Sequence, residues 1–575
     1  MGKSYYSQAV RAQASRIFFF SAVVSAPIFP SGNPPPAPWA PAEPALPDSR
    51  APKGLDFFLL LDGRASGAAT ESWGGLCRDS LQEPLAEVCA EKSVPHPWRL
   101  SFDLGAYPLN RPRNAFRSFE AFGSGWGSDR VDPELASRWT GLPSLVGVSL
   151  GYPVTRRSFL AFRGGLRRDI RAWKEDPLGS NLPLSESEVD LNEPSLGFFR
   201  AEGDRWAFTV GRFPVHWSPS PEYGLALSRA VPYHNGAEFA LKMPRVRYRF
   251  LASSLNPWLE GTPIGDTSGT DYPPGSEEWR QRHYPSSNGA GLFHKRVYDA
   301  RIKTLFAHRL EGDLGPLSLG ITETQIVGGK PPDLRDAGPF IVFHNDFKEG
   351  FANGAISLDA SLRLPKGVAL AAEYYIDDVD YAATEKGGNT ANVQGWMAGA
   401  RHAFAARGWV FGQSLHAIRT DPYLYGYLQP MNRAVSRIVL ASNNQRKSDP
   451  VFVDKYVIDY PLGYLRGGDA FDFRYRFEAW KGRRFGASFT ADLLAKGEVD
   501  IHTPYETYYG ASHDAPSGVA ERELRLGLEG EWAPLPGISV RAGAGFRDIR
   551  NEGNARGRDD SRGSAAAGIS WSFPR

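Results

Sequence analysis

The residues with the greatest capacity for chemistry in this chain are arginines and acids set two apart. Arg245, Arg247 and Arg249 follow one another at that spacing, as do Arg474 and Arg476, and Arg301, Asp359, Glu373 and Asp377 fall in similar runs. A guanidinium fork matches carboxylates and phosphates, so such a row could recognise an anionic ligand. Opposite charges on one face could equally pair with each other and stiffen a wall. Nucleophilic chemistry has thinner support. Gly147-Val-Ser149-Leu-Gly151 matches the nucleophile-elbow pattern, but an elbow needs a strand, a sharp turn and a helix, and this match sits inside a strand-like stretch ending at Pro153. His308, His402 and His416 lie in separate stretches, which leaves a serine hydrolase of the lipase kind as a weaker alternative. No phosphate loop, His-Glu-x-x-His or paired Cys-x-x-Cys occurs, so no catalytic residue, metal site or cofactor is assigned.

Spacing of two is strand spacing, because successive side chains of a strand point to opposite faces. In Phe471–Trp480, apolar residues hold the odd positions while Asp472, Arg474, Arg476 and Glu478 hold the even ones. After Lys481-Gly482, the pattern resumes through Phe485–Leu493. About eighteen such stretches run from Trp98 to Phe573. The links between them alternate, short at Met243-Pro244 and Pro365–Gly367, long at Pro214–Ala237 and Arg419–Ala470. That rhythm predicts an all-β fold, a transmembrane up-and-down antiparallel β-barrel of about 18 strands, with short periplasmic turns and long extracellular loops. Lipid then meets the apolar phase, and Arg245, Arg247, Arg249, Arg301, Asp359, Glu373, Asp377, Arg474 and Arg476 become candidates for lining the lumen.

Composition fits this reading. The chain has 575 residues, 61 Gly, 45 Pro, 13% aromatic residues and a net charge of +2, which gives no reason to expect a nucleic-acid partner. Mean hydropathy is −0.37, and the longest nearly apolar run, Ile17–Phe29, is shorter than the roughly 20 residues of a membrane-spanning helix. Lys3, Arg11 and Arg16 before that run make residues 1–26 a candidate signal peptide. Residues 27–53 form a Pro-rich linker, and 54–97 a periplasmic segment in which Cys77 and Cys89 could close a disulfide in an oxidising compartment. The barrel occupies 98–575. Its end, Gly568-Ile-Ser-Trp571-Ser-Phe573, resembles the terminal-strand signal read by the barrel-assembly machinery of Gram-negative bacteria. Within the first long loop, Asp132 to Trp139 reads as a short capped helix.

Val210-Gly-Arg-Phe-Pro-Val-His-Trp-Ser-Pro219, followed by Gly224-Leu-Ala-Leu-Ser228 and Pro232, resembles a stretch of the Wzi-type capsule-assembly outer-membrane proteins. There a Gly-Arg strand end leads into a Trp-Gly-Pro-Gly turn and a Leu-Leu-Ser segment; here Trp217-Ser-Pro-Ser220 replaces the glycines. Further matches are His308-Arg309-Leu310-Glu311, Gly320-Ile-Thr-Glu323, Asn345 with Gly354 and Asp359, and Tyr375-Ile-Asp377-Asp378. The resemblance implies a non-enzymatic 18-stranded barrel in the outer membrane of a Gram-negative bacterium, binding and retaining surface or capsular polysaccharide. Loop aromatics on which pyranose faces could stack are Trp217, Tyr223, Tyr233, Trp258, Tyr423 and Tyr425, with Arg229 beside them. A diffusion porin or solute-specific channel is the alternative, since a barrel of this size is wide enough to conduct.

Overall fold

A computed structural model describes residues 98–574, apart from segments 110–115, 121–126, 259–301, 340–351, 379–392, 446–452 and 504–514 and a few single positions. The expected signal peptide, linker, periplasmic segment and Cys77–Cys89 pairing all lie outside the described residues, as does Arg301.

Polar and apolar residues alternate most strictly where one face of the chain must meet hydrocarbon and the other must not, and those stretches form one closed sheet. β1 (Trp98–Ala106) is followed by β2 (Phe116–Glu120), β3 (Gly127–Val131) and helix α1 (Pro133–Gly141). Next come β4 (Val146–Thr155), β5 (Ser158–Leu166), helix α2 (Ile170–Glu175), β6 (Leu196–Glu202), β7 (Trp206–Phe213), β8 (His234–Lys242) and β9 (Val246–Leu255). The far wall holds β10 (Lys303–Leu314), β11 (Leu317–Gly328), β12 (Ala352–Leu364), β13 (Val368–Asp378), β14 (Val393–Ala406) and β15 (Trp409–Thr420). β16 (Val435–Gln445) and β17 (Val453–Pro461) precede β18 (Ala470–Lys481), β19 (Phe485–Lys496), β20 (Glu521–Leu535), β21 (Ile538–Arg550) and β22 (Asp560–Pro574).

Eighteen of these strands make the barrel. Each pairs antiparallel with its neighbour, and β1 closes the ring between β22 (Arg99↔Pro574 to Ala106↔Ala567) and β4 (Trp98↔Leu150 to Phe102↔Val146). Among the described residues, the period-two stretches fall on barrel strands. β2, β3, β16 and β17 form a separate four-stranded sheet within the long loops and were not expected from periodicity. The short helix predicted from Asp132 is α1, whose cap Asp132 accepts from the Glu134 N–H at 2.8 Å.

Outward positions carry the apolar phase: Leu100, Phe102, Leu104, Leu150, Phe162, Leu493, Leu528 and Ile569 are exposed, while Asp103, Asp359, Glu373, Asp472 and Glu523 on the other face are buried. Tyr152, Trp206, Phe485, Trp532 and Trp571 are exposed at the short-turn end, the position of an aromatic girdle at a lipid–water interface. Closure is what makes the wall tolerable in lipid, because every backbone ladder is satisfied within the ring.

Candidate binding site inside and above the barrel

The segment from Pro214 to Tyr233, between β7 and β8, does not project into solvent. Gly211 has a φ of +126° and a Cβ there would overlap the Gly197 carbonyl oxygen, so glycine lets the chain leave β7 at this angle. The chain then crosses the lumen as a strap. Val215, Trp217, Ser218, Ser220, Leu225, Ala226, Leu227 and Val231 are all buried.

Hydrogen bonds tie the strap to the opposite wall. Ser218 Oγ donates to Glu373 Oε2 on β13 at 2.8 Å, and the Ala226 N–H donates to Glu373 Oε1 at 3.0 Å. On β15, His416 Nε2 lies 3.0 Å from Ser220 Oγ, and Ser414 Oγ donates to Glu222 Oε2 at 3.2 Å. Within the strap, His216 Nε2 donates to the Ser220 carbonyl at 2.6 Å. Burial, then the charges of Arg229 and Arg309, hold the His216 imidazolium down at about 3, so the ring is neutral. From above, the connection between β15 and β18 packs onto the strap. Tyr425 Oη donates to the Leu225 carbonyl at 2.7 Å, and a Cβ on Gly463 would overlap that same oxygen.

The sequence candidates divide accordingly. Trp217 is buried under Arg249, 5.1 Å from ring centre to guanidinium, and Tyr223 lies 4.7 Å from Arg474. Trp258 is buried between Arg433 at 4.7 Å and Arg437 at 4.3 Å. Tyr423 and Tyr425 are buried too, in the left-handed region at φ 65° and 67°, and Asp377 accepts from the Tyr425 N–H at 2.7 Å. Tyr233 is half-buried against Arg212 at 4.2 Å, and Arg229 is exposed.

Of the inward-phase arginines and acids, Arg249 pairs with Glu238 at 2.6 Å, Arg247 with Glu311 at 3.4 Å, and Arg474 with Asp472 at 2.7 Å. Asp359 takes a two-point contact from Arg309, at 2.6 and 3.0 Å, and Arg476 contacts Glu478. Arg245 is exposed at the β8–β9 turn. Apart from Arg245, these groups are arranged as paired charges along the wall. The strap anchors Ser218, Ser220 and Glu222 were not singled out from sequence. A signal was present: Leu225-Ala-Leu227 is too apolar for a solvated loop.

Ser220, His416 and Glu222 have the residue types of a catalytic triad. Ser220 is fully buried, however, and His416 Nδ1 stands 3.9 Å from Glu222, beyond a hydrogen bond.

Among the described residues, two recesses are lined without any residue of the strap. On the short-turn side, a cavity of about 580 Å³ opens between Tyr107, Trp480, Glu529, Glu531 and Arg541. On the loop side, an open recess of about 930 Å³ is lined by Arg117, Arg130, Glu134, Lys496, His502 and Arg525, with Asp132, Asp500, Glu521 and Glu523 among them. Burial, opposed by Asp459, lowers His502 to about 4. Burial pulls the Asp500 carboxyl up, but His502 and Lys496 prevail and hold it below its ordinary value.

A ring of 18 antiparallel strands with an apolar exterior and a charged interior is suited only to lipid surroundings. The chain is an outer-membrane β-barrel. No family model matches it, and no curated protein sequence does. Among solved structures it is similar to Wzi of Escherichia coli, an outer-membrane protein involved in group 1 capsule assembly and a carbohydrate-binding β-barrel. Identity is 12%, the match covers 93% of this chain and 100% of that one, and the TM-score is 0.52. At this identity the likeness speaks for the fold. OprD of Pseudomonas aeruginosa (8% identity, 83% and 95% covered, TM-score 0.36) and OccAB4 of Acinetobacter baumannii (9%, 83% and 98%, 0.34) superimpose less well and add no argument.

Proposed function

We propose that this barrel binds surface polysaccharide at its loop-side mouth and retains it there without catalysing a reaction, as a protein of the Wzi type. The observation that carries this reading is the strap. A porin needs a continuous passage, whereas here the segment between β7 and β8 is bonded to β13 and β15 on the opposite wall. On the loop side lies the mixed-charge recess bounded by Arg117, Arg130, Lys496, Glu521 and Arg525. Sugar hydroxyls both donate and accept, so interleaved guanidinium and carboxylate groups suit them, and charge-assisted bonds are the stronger kind. Arg229 and Tyr233 lie at the strap's exposed end as further contact candidates. Resemblance of residues 196–378 to the capsule-assembly proteins supports the same ligand class. Outer-membrane lipid and, during insertion, the barrel-assembly machinery are the other partners in this reading.

The test is polysaccharide retention on cells with and without the gene, with insertion of the protein verified. Loss of retention supports the proposal, and unchanged retention sinks it. A steady large conductance from the purified protein in a bilayer would favour the porin instead.

A further inference from the structure

The barrel wall is low on one side. β4, β5, β6 and β7 hold 10, 9, 7 and 8 residues, against 15 each in β20 and β22. The ladder of β1 with β4 stops at Phe102↔Val146, short of the upper end of β1. The connection from β5 to β6 fills that edge. Ser180 bridges Ala106, the Tyr107 N–H donates to the Gly179 carbonyl at 2.9 Å, and the Asn181 N–H donates to the Gly105 carbonyl at 3.2 Å. Asn181 turns its side chain inward, donating to the Asp103 carbonyl at 2.9 Å and accepting from the Gly105 N–H at 3.0 Å.

With Asn181 inside, residues of the other parity face out, and three of them are leucines. Leu178 is 70% exposed, Leu182 38% and Leu184 73%. Counting antiparallel from the Ala106↔Ser180 bridge sets Leu182 level with Leu104, which itself pairs with Ile569. These three make one exposed apolar row across a loop and two strands. The same count sets Leu178 level with Ala565 of β22, below Gly563, whose partner Phe546 is an exposed member of the apolar belt. Leu178 and Leu182 therefore stand within the height of that belt, and Leu184 is the next exposed leucine along the same segment. Polar chain resumes just beyond them, at the exposed Ser185, Glu186 and Ser187.

We propose that residues 177–184 are a lipid-contacting patch, with Leu178, Leu182 and Leu184 seated among the acyl chains of the outer leaflet, completing the belt where the strands are too short. The patch is continuous with the lipid-facing surface of β1 and β22, which is why hydrocarbon rather than a protein is its partner. It is independent of what the mouth binds.

Leu178→Cys, Leu182→Cys and Leu184→Cys test it one at a time, with Ser187→Cys as the polar reference. The full chain, with Cys77 and Cys89 replaced by Ser, is labelled with a polarity-sensitive fluorophore and reconstituted into phosphatidylcholine vesicles. The expected result is blue-shifted emission at the three leucine positions. Acyl-chain nitroxide should quench them several-fold more than residue 187, and aqueous iodide should do the reverse. Iodide quenching equal to that at residue 187 overturns the proposal. So does protection from both quenchers accompanied by crosslinking between copies, which assigns the patch to a second copy of the chain. Ser180→Cys, a small outward residue of the same row, gives the reading where a leucine variant does not insert.

Discussion

Ser218 Oγ donates a 2.8 Å hydrogen bond to Glu373 Oε2, joining the segment that leaves β7 to a strand six places further round the wall. The same carboxylate accepts from Ser357 on β12 and from the Ala226 N–H, so one side chain serves both wall and strap. Glu373→Ala orphans two donors, Ser357 Oγ and the Ala226 N–H, while Ser218 Oγ turns to the Tyr223 carbonyl at 2.8 Å; each orphan costs about 1 kcal/mol by the lower estimate for buried groups. The variant should unfold in urea with about 2 kcal/mol less stability. In planar bilayers it should show conductance steps where the unmodified barrel gives a flat trace.

Gly463, in the connection between β15 and β18, packs directly against the strap at Leu225. In Gly463→Ala, the new Cβ meets the Leu225 carbonyl and pushes apart the Tyr425–Leu225 hydrogen bond. Overpacking of this kind costs about 1–3 kcal/mol. Faster hydrogen exchange over residues 214–233, with barrel strands unaffected, is the expected readout.

Ser220 is placed to tether rather than to attack. A serine-directed fluorophosphonate should leave the protein unlabelled, and Ser220→Ala should retain glycan as the unmodified barrel does. Labelling that disappears in Ser220→Ala would instead establish a reactive serine.

His502 couples the recess to pH. Its ring lies against Trp258 with centroids 5.2 Å apart, and its folded value of about 4 is below the ordinary 6.5 of an unfolded chain. The unfolded state therefore takes up the proton first, and stability falls as pH drops from 6.5 toward 4. By pH 5 the loss is about 2 kcal/mol. Protection factors over residues 453–461, taken relative to the intrinsic amide exchange rate at each pH, should fall between pH 7 and pH 5, and His502→Gln should flatten that dependence.

Arg309 and Asp359 test the value of the paired wall. Removing one partner of a buried pair leaves a bare charge and costs about 3–5 kcal/mol, while replacing both by apolar residues is far milder. Arg309→Met should accordingly destabilise the barrel in urea more than Arg309→Met with Asp359→Leu does.

The barrel was legible in sequence because lipid and lumen impose opposite demands on alternate residues, as in Phe471–Trp480. The cap was not. Residues 435–438 of β16 and 456–461 of β17 are buried on both faces, so Val435-Ser-Arg-Ile-Val-Leu440 shows no alternation, and β2 and β3 are only five residues each. The strap escaped notice for a related reason. A long link between strands suggests an external loop, and nothing in the period of two says that Tyr425 and Trp217 turn inward to be packed. Placement of the arginines was legible in phase, but not their partners, since Arg309 and Asp359 lie fifty residues apart.

The seam between β1 and β22 joins the first and last strands of the ring. The segment between β7 and β8 starts from one side of that ring and is hydrogen-bonded to β13 and β15 on the other, so the cylinder is braced across its diameter as well as around its circumference.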